Sequence, residues 1–125
     1  MVKSLVSMII VALLLVGGAI YENHFVNSTF DQFNQVLTVL YQKVDDQDAT
    51  MDDVYAVQKN WLDKKKSLHA FIPHNEIKEI DLWLAESATL VRDQKWEDAL
   101  SKIEVLKELS EQIPKTFQLT LGNIF

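Results

Sequence analysis

An apolar segment near the amino terminus runs from Leu5 to Tyr21 and contains no charged residue. As a helix its seventeen residues would be about 26 Å long, close to the thickness of the hydrocarbon core of a bilayer. The pattern therefore predicts a transmembrane helix that contacts the lipid bilayer through residues 5–21. Lys3 lies just before the segment. Because positive charges stay on the cytoplasmic side, we expect a cytoplasmic amino terminus and an extracytoplasmic carboxyl-terminal part.

Two other interpretations of this segment are open. Gly17-Gly18-Ala19 places small residues where a signal peptidase cleaves, as in a signal peptide that is removed. The segment could also be buried in a soluble core, but a helix that is apolar on every face needs a large surrounding core. Because the apolar run continues through Ile20 and Tyr21, we favour an uncleaved anchor at residues 1–21. Residues 22–125 then form the extracytoplasmic domain of a single-pass cell-membrane protein.

Beyond the anchor, apolar residues recur every three or four positions, which is the period of an amphipathic helix. Four such stripes are present: Phe30, Phe33, Leu37, Leu40, Tyr41 and Val44; Val54, Val57, Trp61, Leu68 and Ile72; Ile77, Ile80, Leu84, Ala88 and Val91; Trp96, Ala99, Leu100, Ile103, Leu106 and Ile113. No glycine lies between Ala19 and Leu121, whereas sheets with tight hairpins need glycine at positive φ. The prediction is an all-α fold, in which the anchor is followed by an antiparallel bundle of about four helices. Its carboxyl-terminal half is expected to contain a helical hairpin of the tetratricopeptide kind.

Capping residues and one proline predict where the helices begin and end. Ser28 with Asp31 forms a capping-box pattern that would start the first bundle helix, although the anchor helix could also run straight through it. Thr50 with Asp53 forms the same pattern before the second helix. Pro114 is expected to end the fourth helix, because proline lacks the amide hydrogen that a helix interior needs.

The tail after Pro114 is rich in apolar residues. With no second strand candidate to pair with, we expect it to form a short helix or an extended arm that lies against the bundle. Exposed apolar surface is costly in water, so the tail either closes the bundle, which is the commoner arrangement and the one we favour, or docks on a partner. The interaction residues predicted here are Phe117, Asn123, Ile124 and Phe125.

Composition argues against several classes of function. Lys3 is the only charged residue before Glu22, so 11 basic and 18 acidic residues follow, which argues against nucleic-acid binding and charge-driven binding to anionic lipids. The absence of cysteine excludes thiol catalysis and cysteine-based metal sites. No serine–histidine–aspartate arrangement, glycine-rich phosphate loop or pair of catalytic carboxylates is recognisable. We therefore expect neither an enzyme nor a cofactor.

Histidines and carboxylates gather near the junction of the second and third helices. His69, His74 and Glu76 are candidates for a divalent-metal site or an acid–base pair, but their spacing matches no metal-binding signature. Glu76 and Glu79 also suit the positive end of a helix dipole, and His74 could satisfy the turn or form a pH-sensitive contact. We favour the helix-terminus interpretation, so no metal is assigned. His74 and Glu76 are also predicted interaction residues.

Several residues resemble a known family. They are the apolar amino-terminal segment, Trp61, the pattern Leu68-x-x-Phe71-Ile72-x-His74-Asn75-Glu76 and the ending Asn123-Ile124-Phe125. The chain resembles the small bacterial proteins of domain of unknown function 4363. The resemblance implies a membrane-anchored helical domain with no assigned activity, and a multi-pass membrane protein as a partner.

The functional prediction combines the anchor, the apolar tail and the lack of a catalytic motif. It is a membrane-anchored accessory protein that binds an integral membrane partner. The alternative is an extracytoplasmic sensor domain that binds a metal or another ligand through the histidine junction.

Overall fold

Four α-helices contain nearly all of the described residues. The computed structural model describes the backbone of residues 2–124 and the side chains of residues 2–119. The helices are α1 (Val2–Asp45), α2 (Met51–Leu68), α3 (His74–Arg92) and α4 (Trp96–Ile124). No strand occurs within residues 2–124. The predicted all-α bundle is therefore confirmed.

The helices pack as an antiparallel four-helix bundle in which each helix has two neighbours. α1 and α3 each pack against α2 and α4, and α2 and α3 have the smallest contact of the four neighbouring pairs. The apolar segment of α1 enters the bundle at one end, which we call the basal end. This end carries the connection between α2 and α3 (residues 69–73) and the last turns of α4. The two other connections, residues 46–50 and 93–95, lie at the opposite, distal end.

The apolar segment and the first bundle helix are one continuous helix of 44 residues. The helix start predicted at Ser28 is therefore wrong, and the alternative, in which the anchor helix runs straight on, is confirmed. Val26 and Phe30 are both buried, so the apolar stripe crosses the expected boundary without interruption. The hydroxyl of Thr29 donates a hydrogen bond to the carbonyl of Phe25 (2.7 Å), so this polar side chain is satisfied inside the helix.

The core is formed by the predicted stripes. Trp61 is its largest fully buried side chain, and its ring centroid lies 5.0 Å from that of Phe33. Its indole N–H donates to a carboxylate oxygen of Asp81 (2.7 Å), and the second oxygen of that carboxylate accepts from the ammonium of Lys65 (2.7 Å). This bridge joins α2 to α3, the pair of neighbouring helices with the smallest contact.

Both connections at the distal end begin with the same backbone motif. Gln47 has φ 56°, its N–H donates to the carbonyl of Val44, and the next N–H donates to the carbonyl of Lys43. Gln94 also has φ 56° and makes the same pair of hydrogen bonds after α3. These are Schellman motifs, in which glycine usually occupies the left-handed position. The chain thus reverses direction at both connections with glutamine, rather than glycine, in the left-handed position.

The helix ends were predicted with mixed success. The capping box at the start of α2 is confirmed, because the N–H of Thr50 donates to the carboxylate of Asp53 (2.8 Å). The break predicted at Pro114 is wrong, because α4 continues through it to Ile124. Proline removes the hydrogen bond that the carbonyl of Ser110 would accept, but Pro114 is buried and the next turn packs against the bundle. The tail is therefore helical and belongs to α4.

Candidate functional site

The amino-terminal part of α1 projects from the bundle as an isolated apolar helix. Leu14 and Ile20 are 70 % and 65 % exposed, and the most apolar window of α1 buries none of its residues against the rest of the chain. Within residues 2–124, α1 is the one helix long and apolar enough to cross a membrane. The predicted division at residue 21 falls inside this helix, without an interruption of the backbone.

A ladder of four aromatic rings extends from the end of the apolar segment across the basal end. Tyr21 stacks on Phe25 with a centroid distance of 6.4 Å. Phe25 meets Phe71 of the α2–α3 connection edge to face at 5.7 Å, and Phe71 meets Phe117 of α4 at 6.5 Å. We call Tyr21, Phe25, Phe71 and Phe117 the basal aromatic cluster. It joins the apolar segment, the α2–α3 connection and α4.

The histidine junction also lies at the basal end. The imidazole rings of His69 and His74 stack at 5.7 Å, and both side chains are exposed. Burial, and next the negative charge of Glu79, raise the pKa of the Glu76 carboxyl above its ordinary value. A protein zinc site takes at least three side-chain ligands. Within the described part of the chain, no group of three or more His, Cys, Asp or Glu side chains is placed to hold a metal.

The predicted interaction residues are partly brought together. His74 lies three positions after Phe71, and Phe71 contacts Phe117, so these two distant parts of the sequence share one end of the bundle. Phe117 is half-buried, whereas Leu119, two residues later, is 71 % exposed. The side chains of Asn123, Ile124 and Phe125 lie outside the described residues.

The end of α4 is fixed to α1 by polar contacts. The side-chain amide of Asn34 donates to the hydroxyl of Ser110 (2.6 Å) and to the carbonyl of Lys107 (3.3 Å). Closer to the basal end, the amide of Gln118 donates to the side-chain oxygen of Asn27 (3.0 Å). A shallow polar groove of about 540 Å³ lies between these two contacts. The tail is therefore held against α1 as far as Gln118.

Sequence reasoning did not identify the basal aromatic cluster as a unit. Tyr21 and Phe25 stand four positions apart at the end of the apolar segment, a spacing that places two side chains on one face of a helix. That signal was available from the sequence. The meeting of Phe71 with Phe117, 46 positions later, has no local signal, because it depends on how α2, α3 and α4 pack.

The family comparison agrees with the resemblance seen in the sequence. A family model described as Domain of unknown function (DUF4363) matches residues 20–124. This match covers α2, α3, α4 and the part of α1 that lies in the bundle. Comparison with curated proteins and with solved structures found no match.

Proposed function

The chain belongs to the DUF4363 family, and we propose that it is a membrane-anchored accessory protein that binds an integral membrane partner. Residues 5–21 cross the bilayer, with the amino terminus in the cytoplasm and the bundle outside. The partner, a multi-pass membrane protein, is bound at the basal end. The binding surface there includes His74, Glu76 and the end of α4.

The observation that carries this proposal is the continuity of α1. A flexible linker would allow the domain to move away from the membrane, but here the apolar segment and the core are parts of one helix. A contact between polar side chains of α1 and α4, at Asn27, lies six residues beyond Tyr21, or about 9 Å along the helix. The basal end is thereby kept at the membrane surface, where the extracytoplasmic parts of an integral membrane protein are within reach.

A second line of support is the position of the predicted interaction residues. His74 and Phe117 are 43 positions apart in the sequence but belong to the same end of the bundle, and this is the end nearest the anchor. The charge balance of the domain does not favour an anionic lipid surface or nucleic acid as its partner. A protein surface recognised through apolar groups together with His74 and Glu76 fits this end better.

The orientation is tested by cysteine labelling, since the chain has no cysteine of its own. Leu82 on α3 is 57 % exposed, so a Leu82→Cys variant presents a thiol on the bundle surface. In intact cells we expect a membrane-impermeant maleimide to label this thiol. Labelling only after the membrane is permeabilised would place the bundle in the cytoplasm and contradict the proposal.

The partner surface is tested by truncation after Gln118, which removes residues 119–125. The contacts of Phe117 and Gln118 remain, so we expect the bundle to keep its helical circular-dichroism spectrum and melting temperature. In a crosslinked pull-down from native membranes, however, we expect the truncated chain to lose the integral membrane partner that the full chain recovers. If the truncated chain keeps the partner, the tail is not the interface. If it unfolds, the tail is part of the core and this interface assignment fails.

A further inference from the structure

The end of α4 lies at the same level as the end of the apolar segment. α1 and α4 run antiparallel, and Gln118 is opposite Asn27. From Gln118, α4 continues for six residues to Ile124, about 9 Å. In α1, Tyr21 precedes Asn27 by the same six residues and the same distance of about 9 Å. The last turn of α4 therefore reaches the depth at which α1 leaves the apolar segment.

Three rings of the basal aromatic cluster, those of Tyr21, Phe25 and Phe71, lie at or just above that depth. Phe25 lies four residues, about 6 Å, beyond Tyr21, and Phe71 packs on it. The headgroup layer on each side of a bilayer is roughly 5–7 Å thick. With Tyr21 at the boundary of the hydrocarbon core, Phe25 and Phe71 lie at headgroup depth. Aromatic side chains are enriched in this layer, where an apolar ring meets a polar environment.

Two strongly exposed apolar side chains lie in and beside the cluster. Tyr21 is 67 % exposed and Leu119 is 71 % exposed, and both lie at the basal end, next to the anchor. In water these side chains would form part of an unfavourable surface, whereas the headgroup layer can accommodate them. Because Tyr21 and Leu119 both lie next to the anchor helix, lipid is already the nearest neighbour of these side chains.

We infer that the basal end of the bundle lies in the lipid headgroup layer, through Tyr21, Phe25 and Phe71 of the basal aromatic cluster, the rest of the α2–α3 connection and the last turns of α4. This inference rests on the anchoring part of the proposed function and adds a second membrane contact, made by the domain itself. The contact is apolar and aromatic. It therefore holds in a zwitterionic bilayer and does not require anionic lipid, consistent with an acidic domain.

This contact of the basal end with the headgroup layer fixes the orientation of the bundle. A single helix alone leaves a domain free to rotate about the helix axis and to tilt. Three points of contact (α1, the α2–α3 connection and the end of α4) restrict both motions. The surface around His74 is then presented at a constant height above the membrane.

The inference is tested with single-cysteine variants of the full chain, each labelled with an environment-sensitive fluorophore and reconstituted into phosphatidylcholine vesicles. Leu119→Cys and Ala70→Cys place the probe on α4 and in the α2–α3 connection, both at exposed positions. Leu14→Cys reports on the anchor, and Leu82→Cys is the control on the exposed surface of α3. The quenchers are lipids with a nitroxide on the headgroup or deep in the acyl chain.

We expect the probes at 119 and 70 to lose fluorescence to the headgroup nitroxide more than to the deep nitroxide, and the probe at 14 to show the reverse order. The probe at 82 should lose none. Adding anionic lipid or salt should leave these losses unchanged.

Quenching at 14 without quenching at 119 and at 70 would contradict the contact of the basal end with the headgroup layer, but it would leave the transmembrane anchor supported. Absence of quenching at 14 would contradict the transmembrane anchor, and with it the contact of the basal end with the headgroup layer. A blue-shifted but unquenched probe at 119 would show that protein, such as a second copy of the chain, covers this position, and this result would also overturn the inference.

Discussion

The bridge between Trp61 and Asp81 offers a quantitative test of how α2 and α3 are held together. α2 and α3 have the smallest contact of the neighbouring helix pairs, and their connection carries Phe71 and leads directly to His74, the first residue of α3. The indole N–H of Trp61 has Asp81 as its acceptor at 2.7 Å, and Trp61 is only 2 % exposed. Loss of this acceptor would leave a buried donor without a partner.

The expected cost follows from burial. An unsatisfied buried donor costs roughly 1–3 kcal/mol, and the partly exposed ion pair of Asp81 with Lys65 adds up to about 1 kcal/mol. Asp81→Ala should therefore lower the free energy of unfolding by about 2 kcal/mol. Asp81→Asn keeps an oxygen acceptor for the indole and should cost about half as much.

A double-mutant cycle separates the hydrogen bond from the ion pair. In a Trp61→Phe background there is no indole N–H to leave unsatisfied, so Asp81→Ala should cost only about 0.5 kcal/mol, giving a coupling energy of about 1.5 kcal/mol. The measurement is urea unfolding of the full chain in a non-denaturing detergent, followed by far-ultraviolet circular dichroism. Equal costs of Asp81→Ala in both backgrounds would refute the reasoning.

Three further predictions concern single side chains. The raised pKa of Glu76 means that folding favours its protonated form, so its contribution to stability is present below the ordinary glutamate pKa of 4.5 and is lost as pH rises through the raised value. Glu76→Gln should thus be more stable than the parent at neutral pH and lose that advantage in acid, as thermal melts across pH would show. Gln94 has φ 56°, so Gln94→Gly should stabilise the bundle by about 0.5–1 kcal/mol in the same urea assay, and a loss of stability would refute the Schellman assignment. In calorimetric titration with zinc, the parent and His74→Ala should release the same heat, and a heat present only in the parent would favour the sensor alternative.

Periodicity predicted the core because burial on one face of a helix is a local property. Trp61 and Ile103, each in the middle of a stripe, are buried as expected. Helix ends were less predictable, because a cap or a proline only biases the local backbone. At Ser28 and at Pro114 the packing of neighbouring residues outweighs that bias, and the helix continues.

The candidate site was predicted in parts but not as a whole. His74 and Phe117 were each identified from the sequence, one from its place at a helix start and the other from the apolar tail. Their shared position depends on the antiparallel order of α2, α3 and α4 and on the contact of Phe71 with Phe117. Such a contact joins segments far apart in the chain, so no spacing within either segment reveals it.

The central proposal, that an integral membrane partner is bound at the basal end, is tested most directly by site-specific photocrosslinking in native membranes. A photoreactive residue replaces His74 at the start of α3 in one variant and Leu82, eight positions further along the same helix, in the control. Both side chains are exposed, so they differ mainly in their distance from the basal end. We predict that the variant at 74, purified by an affinity tag and analysed by mass spectrometry, carries one dominant multi-pass membrane protein that the control does not. Recovery of the chain alone, or of the same proteins from both variants, would contradict the proposal.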